Sequence, residues 1–129
     1  QSKEWSGALS SFDHDFGFDG KKIAESFKYN VFGFKIDDIY EKLGLANPDH
    51  IKIDVDGIEH IILSGADNIL SKVKSVHVEI NDDFIEQANK CSEALLKAGL
   101  ILSNKEHSTL IEGSNDFSSV YNQTWRRKF

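Results

Sequence analysis

The stretch HIKIDVDG, residues 50–57, is the strongest strand signal in the chain. Its apolar residues alternate with polar ones over 51–55, as they do on a β-strand with one buried side. Polar side chains gather toward the end of the stretch, where Gly57 breaks the pattern. We therefore predict a strand over 51–55 whose carboxyl end carries Asp54 and Asp56.

Helices and strands alternate after this first strand. Apolar residues recur at helical spacing over 58–73, which predicts one continuous helix, and a second amphipathic helix is predicted over 83–98. Residues 75–80 alternate as a strand, and further strands are predicted over 100–102 and 117–121. This order predicts an α/β fold with a mostly parallel sheet, flanking helices and an antiparallel last strand.

The region before the first strand is less regular. Turn-forming residues crowd residues 1–22, so an irregular segment is predicted there. Residues 27–36 alternate in two phases that meet at Gly33, which predicts two short extended pieces. A short helix is predicted next, with Asp37 capping its start and Gly44 at its end.

Length and composition narrow the class of protein. The 129 residues fit a single domain, 1–129, and 40% hydrophobic residues suffice for a modest core. With 15 basic and 21 acidic residues the net charge is −6, which disfavours nucleic acid as a partner. No apolar run approaches the ~20 residues that span a bilayer, so no membrane partner is expected. A single cysteine excludes an intrachain disulfide and fits a cytoplasmic location.

Four smaller features have structural interpretations. Cys91 lies on the apolar side of the second helix and is expected to be a small buried hydrophobe. His77 lies on a predicted buried strand and is expected to pack in the core. The basic cluster at 126–128 is interpreted as a solvated tail. The chain contains no Met and begins with Gln1, so a fragment or a processed chain is expected.

Acidic residues follow the first two predicted strands. Asp54, Asp56 and Glu59 surround the first strand-to-helix junction, and Glu79 and Asn81 end the next strand. In parallel sheets the carboxyl ends of the strands meet at one edge, where ligands bind. Carboxylates there could accept a proton from a hydroxyl, hold a divalent cation or bind a cationic cofactor. Helix capping and the helix dipole also favour acids at such junctions, so a structural role is the alternative.

Several segments resemble one enzyme family. DHIKIDVDGIE, residues 49–59, resembles the signature of FkbM-type methyltransferases, and ILSGA at 62–66 is similar to that family's following helix. KSVHVEI at 74–80 resembles its next strand, and FKIDDI at 34–39 resembles the segment before the signature. The resemblance runs over about half the chain, from 31 to 99.

The resemblance implies a fold, a cofactor and a reaction. The fold would be part of a Rossmann-like methyltransferase domain, with its fourth strand at 51–54 and its fifth at 76–80. The last two strands would come from Leu100 onward. Members typically move a methyl group from S-adenosylmethionine to an oxygen, often a hydroxyl of a sugar or another small-molecule acceptor.

The resemblance also assigns roles to residues. Asp54 and Glu59 would be catalytic, and no metal is expected. Asp54, Asp56 and Gly57 would bind the cofactor. Glu79 would bind the hydroxyl acceptor, together with Asn81.

The chain departs from the family at one point. It contains no G-x-G-x-x-G, and the nearest feature, GFDG at 17–20, follows no convincing strand. We therefore expect that this chain lacks the glycine-rich half of the domain, which holds most of the cofactor. A sheet without that half would expose an edge, which favours a homo-oligomer.

The sequence is also compatible with two other functions. The DVDG motif at 54–57 is similar to the nucleophile motif of haloacid-dehalogenase-type phosphatases, which use magnesium. Ile58, however, stands where that family normally has Thr. The other alternative is a non-catalytic α/β module that binds a partner or dimerises through its open edge.

Overall fold

The computed structural model describes residues 11–23, 28–107 and 117–128. These residues form the helices α1 (Ile36–Leu43), α2 (Glu59–Ser64), α3 (Asp67–Leu70) and α4 (Ile85–Lys97). They also form the strands β1 (His50–Ile53), β2 (Ser75–Asn81), β3 (Leu100–Glu106) and β4 (Val120–Arg127). None of these helices is long and apolar enough to cross a membrane.

The four strands form one open, mixed sheet in the order β1-β2-β4-β3. β1 and β2 are parallel, whereas β4 is antiparallel to both of its neighbours, β2 and β3. The α/β class and the antiparallel last strand are confirmed. The expectation of a mostly parallel sheet is wrong, because the last strand inserts between β2 and β3 and turns both of those contacts antiparallel.

The core lies between the helices and one face of the sheet. Val76, Val78 and Ile80 line this face of β2 and are buried, and Cys91 and Leu95 of α4 belong to the same apolar cluster. Burial raises the pKa of the Cys91 thiol to about 12. The interpretation of Cys91 as a buried hydrophobe is therefore confirmed.

The opposite face of β2 carries polar side chains. His77 and Glu79 are half-buried there, and Nδ1 of His77 lies 3.1 Å from Oγ1 of Thr124, within hydrogen-bond distance. Successive side chains of a strand point to opposite faces, and Val76 and Val78 occupy the core side. The expected core position of His77 is therefore wrong.

The single helix predicted over 58–73 is interrupted, and the break lies at Gly65 between α2 and α3. Asp37 stabilises the start of α3 from a distant part of the chain. Its carboxylate accepts hydrogen bonds from the backbone N–H of Asn68 at 2.8 Å and of Ile69 at 2.9 Å. Asp37 thus caps α3 and not its own helix α1, where it was predicted to act. A continuous apolar stripe does not reveal such a break.

β4 was predicted over 117–121 but occupies Val120–Arg127. Its core side includes a polar residue, Gln123, which is buried and accepts a hydrogen bond from the indole of Trp125 at 3.1 Å. An apolar alternation therefore does not mark this strand, and the prediction ended where the polar residues begin.

The basic cluster is not a solvated tail. Arg126 and Arg127 belong to β4, and the guanidinium of Arg127 donates hydrogen bonds to the carbonyls of Val73 at 3.1 Å and Leu70 at 2.8 Å. Arg127 therefore ties the end of the last strand to the region after α3, and the tail interpretation is wrong.

The region before β1 agrees with its prediction in part. α1 is present, and Gly44 ends it with a left-handed φ of 61°, as predicted. Residues 28–35 form no strand, and their large apolar side chains are exposed. Residues 11–23 are irregular, as predicted. Residues 1–10 of the predicted irregular segment and Phe27 of the predicted extended pieces lie outside the described residues.

Candidate functional site

The carboxyl ends of β1 and β2 bring the predicted acidic residues to one edge of the sheet. The two strands are parallel, and their last register pair is Ile53 with Val78. Asp54 and Glu79 come next on these neighbouring strands. Asp54 is exposed and forms an ion pair with Lys52 at 2.8 Å. A ligand that approaches this edge therefore meets two carboxylates from adjacent strands.

The surroundings of Glu79 raise the pKa of its carboxyl group. Burial raises its pKa, and the negative charges of Asp54, Glu59 and Asp56 raise it further, to about 7. The ammonium of Lys52 offsets a small part of this effect. Glu79 therefore exchanges its proton near neutral pH, as a carboxyl group suited to proton transfer does.

The raised pKa makes stability depend on pH. Between about pH 4.5 and 7, Glu79 keeps its proton in the folded chain and loses it in the unfolded chain. The contribution of protonated Glu79 to stability is therefore lost as the pH rises through 7. Glu79→Gln should remove this loss and raise the free energy of unfolding at about pH 8 by roughly 1–2 kcal/mol, after allowance for solvent screening. Urea denaturation across this range measures it. Glu93→Gln on the exposed side of α4 is the control, and an equal gain there would contradict the assignment.

The backbone beyond Asp54 is held in an unusual conformation. Asp56 has a φ of 58°, and Gly57 has a φ of 116°, which side chains other than glycine rarely adopt. A Cβ on Gly57 would lie 2.7 Å from the carbonyl oxygen of Gly17 and 2.9 Å from Cα of Phe18. Gly57 is therefore required because the 11–23 loop rests directly on it.

Glu59 lies under this segment and is buried at the start of α2. Its carboxylate accepts hydrogen bonds from the backbone N–H of Val55 at 3.2 Å and of Gly57 at 3.1 Å, and from the side-chain amide of Gln87. Burial raises the pKa of Glu59, and these hydrogen bonds offset part of that rise. The contacts of Glu59 are thus with the chain itself, and its catalytic role stays a prediction.

Gln87 joins the two strand ends through its buried amide. Its nitrogen donates to Glu59, and its oxygen accepts from the backbone N–H of Asn81 at 2.8 Å. The side chain of Asn81 in turn donates to the carbonyl of Phe18 at 3.1 Å and accepts from the N–H of Asp83 at 3.0 Å. A polar network therefore connects both strand ends and the 11–23 loop.

Gln87 was not among the site residues predicted from the sequence. A signal was present, because Gln87 lies three residues after Phe84 and four before Cys91, on the predicted apolar side of its helix. A polar residue in such a position is normally buried with a partner.

Aromatic rings hold the 11–23 loop at a second point. The ring of Phe16 lies 6.3 Å from that of His60 and 5.6 Å from that of Phe84, between centroids. Burial among these rings lowers the pKa of His60. The loop is therefore packed against α2 and the start of α4, beside the acidic edge, which is the end of the sheet that carries Asp54, Asp56 and Glu79.

The residues at this edge fit a positively charged ligand. Besides burial, the negative charges of Asp54, Glu59 and Asp56 raise the pKa of Glu79, and a cationic group at this edge would reduce that repulsion. The sulfonium and ammonium groups of S-adenosylmethionine carry such charge. Within the described residues, no three His, Cys, Asp or Glu side chains are grouped so that they could hold a metal ion.

Comparison with known proteins gives one family. The model of the family described as Methyltransferase FkbM domain matches residues 3–116, a wider span than the resemblance over 31–99. No curated protein and no solved structure matches the chain. The acidic edge and all six predicted site residues lie within the matched span, and the chain belongs to the FkbM methyltransferase family.

Proposed function

We propose that this chain is a methyltransferase domain, or part of one, that uses S-adenosylmethionine to methylate a hydroxyl oxygen on a sugar or another small molecule. The observation that carries the proposal is the juxtaposition of Asp54 and Glu79 at the carboxyl edge of β1 and β2. Membership of the FkbM family supports methyl transfer over the phosphatase alternative. S-adenosylmethionine, when bound, supplies a methyl group on a positively charged sulfur.

The chain's own side chains then have two tasks. Asp54 is exposed and can orient an acceptor hydroxyl by accepting its hydrogen bond. Glu79, with a pKa of about 7, can take the proton of that hydroxyl near neutral pH. Alignment supplies most of the acceleration in such a reaction, so the position of these carboxylates matters more than their basicity.

The remaining predicted residues have supporting roles in this proposal. Asp56 and Gly57 place the backbone of the segment that faces the cofactor. Asn81 shapes the acceptor side of the edge, because its side chain fixes the 11–23 loop. We assign Glu59 the task of holding the 54–57 segment in place.

We further propose that the sheet is the second half of a Rossmann-like methyltransferase sheet. In this proposal β1 and β2 are its fourth and fifth strands, and β3 and β4 are its last two. The parallel pairing of β1 with β2 and the insertion of β4 beside β2 support this correspondence.

Replacing Asp54 tests the proposal. Asp54→Asn keeps the size of the side chain but replaces its charged acceptor with a neutral one, so it should hold the acceptor hydroxyl less firmly and methyl transfer should fall by about 10-fold or more. Calorimetry should also show weaker binding of S-adenosylmethionine. Asp67→Asn on α3, which breaks an exposed ion pair with Lys97 of α4, is the matched control and should leave both unchanged. Wild-type transfer by Asp54→Asn would contradict the catalytic assignment.

A second candidate function is self-association as a non-catalytic α/β module. The observation that favours it is the exposure of Tyr29, Phe32 and Phe34, of which Phe32 is 94% exposed. Exposed apolar groups of this kind commonly mark contact surfaces. A folded wild-type chain that sediments as an oligomer and gives no heat with S-adenosylmethionine would favour this candidate over methyl transfer.

A further inference from the structure

The side chain of Gln87 lies between a hydrogen-bond donor and a hydrogen-bond acceptor, and its amide pairs with both. On one side it faces a donor, the backbone N–H of Asn81, so its oxygen must point there. On the other side it faces an acceptor, the carboxylate of Glu59, so its nitrogen must point there. The orientation of the amide is therefore set by its partners, and its side chain is only 2% exposed.

The two hydrogen-bond partners of Gln87 are connected to the ends of both parallel strands at the acidic edge. Glu59 holds the backbone N–H groups of Val55 and Gly57, the residues on either side of Asp56. Asn81 follows Glu79 by two residues on β2 and holds the 11–23 loop through Phe18. One amide on α4 is thus the shared connection between the ends of both parallel strands.

We infer that Gln87 is a positioning residue, which sets the spacing between the 54–57 segment and the end of β2 by orienting Glu59. The inference deepens the proposed function and rests on it, because the segment that Gln87 positions carries the residues proposed to meet cofactor and acceptor. Gln87 does not itself touch the ligand. Its effect is transmitted through Glu59 and the backbone of Gly57.

Gln87→Glu separates this role from simple packing. The variant has the same size and can still accept from Asn81, but it places a second carboxyl group against Glu59. At about pH 5.5 one proton shared by the pair can replace the amide hydrogen. Loss of that proton as the pH rises toward about 8.5 leaves two carboxylates that repel each other, so the 54–57 segment should loosen with rising pH. Besides burial, the charge of Glu59 also raises the pKa values of Glu79 and Cys91. Each rate in the variant is therefore compared with the wild-type rate at the same pH, so that the titration of these two groups is present in both.

Amide hydrogen exchange by NMR reads this effect without a ligand. In Gln87→Glu at about pH 8.5, the amide of Gly57 should exchange about 30-fold faster than in the wild type. At about pH 5.5 the two rates should agree within about threefold. The amide of the core residue Val78 should be unaffected at both pH values, which shows that the domain stays folded. Asn89→Asp on the exposed side of α4 adds the same charge and should change neither amide.

Gln87→Leu gives a second test in case the glutamate variant unfolds at high pH. It removes both hydrogen bonds, so exchange at Gly57 should be fast at both pH values. Unchanged exchange at Gly57 in both variants would overturn the inference.

Binding of S-adenosylmethionine distinguishes this inference from the proposed function. Affinity for Gln87→Glu should fall at about pH 8.5 and recover at about pH 5.5, in parallel with exchange at Gly57. Fast exchange with wild-type affinity would overturn the positioning role. If exchange changes as expected but the wild-type chain itself binds no S-adenosylmethionine, the connection stands and the proposed function fails.

Discussion

Replacing Gly57 with alanine is expected to lower the free energy of unfolding by about 3 kcal/mol or more. Two effects add. The φ of 116° is strained for any residue with a Cβ, and that Cβ would stand 2.7 Å from the carbonyl oxygen of Gly17. The backbone of Gly17 and Phe18 cannot give way as a flexible side chain could, so the 11–23 loop must leave its position or the 54–57 segment must rearrange.

Gly44→Ala is the matched control for this prediction. Gly44 also has a positive φ, 61°, but nothing lies within 4 Å of a Cβ built there. Only the conformational strain remains, and it should cost about 1 kcal/mol. Urea denaturation followed by circular dichroism compares the two variants, and faster tryptic cleavage after Lys21 and Lys22 should report release of the loop in Gly57→Ala. Equal losses in both variants would contradict the close contact with Gly17.

Replacing Glu59 with leucine is expected to cost about 3–4 kcal/mol of unfolding free energy. Leucine fills most of the space but accepts no hydrogen bond. The backbone N–H groups of Val55 and Gly57 and the amide of Gln87 would then be buried donors without an acceptor. Each such group costs about 1–3 kcal/mol, and partial entry of water reduces the sum.

Glu86→Leu is the control for Glu59→Leu. Glu86 is exposed and pairs with Lys90 one turn along α4, a contact that water screens, so its loss should change the free energy of unfolding little. The free energies of unfolding of the two variants and the wild type, from chemical denaturation, test the difference. A loss below about 1 kcal/mol for Glu59→Leu would mean that the buried hydrogen bonds do not hold the 54–57 segment.

Local patterns predicted much of the fold correctly. The apolar spacing of α4, the alternation of β2 and the stop at Gly44 all arise within a few residues of sequence, and each is present in the structure. The break at Gly65 was missed because its stabilising group, the carboxylate of Asp37, lies about thirty residues upstream. No local pattern contains that contact.

Two predictions about the last strand were wrong for the same reason, because they were made from local patterns alone. β4 was misplaced because Gln123 and Trp125 satisfy each other inside the core, which apolar alternation does not detect. The tail interpretation is wrong because Arg127 donates hydrogen bonds to carbonyls at the end of α3 and in the turn after it. Both features depend on residues brought together only after the chain has folded.

The candidate site was predictable at the level of its position. Strand order alone indicated that Asp54 and Glu79 would meet at one edge, and the parallel register of β1 with β2 puts them next to each other. The connection beneath that edge was not predictable in the same way. Gln87 is separated from Glu59 by 28 residues, so its place on the apolar side of α4 indicated a buried partner but not which residue that partner is.

The place of β4 has a consequence for how the protein is made. Of the strands that the structure describes, β4 is the last to leave the ribosome, yet it lies between two strands synthesised earlier. β1 and β2 can pair as soon as both have emerged, whereas β3 must wait with its backbone groups unpaired until β4 arrives. Folding during synthesis should therefore pause at a half-formed sheet until β4 emerges. During that pause the unpaired backbone of β3 is open to contacts with other chains or with a chaperone.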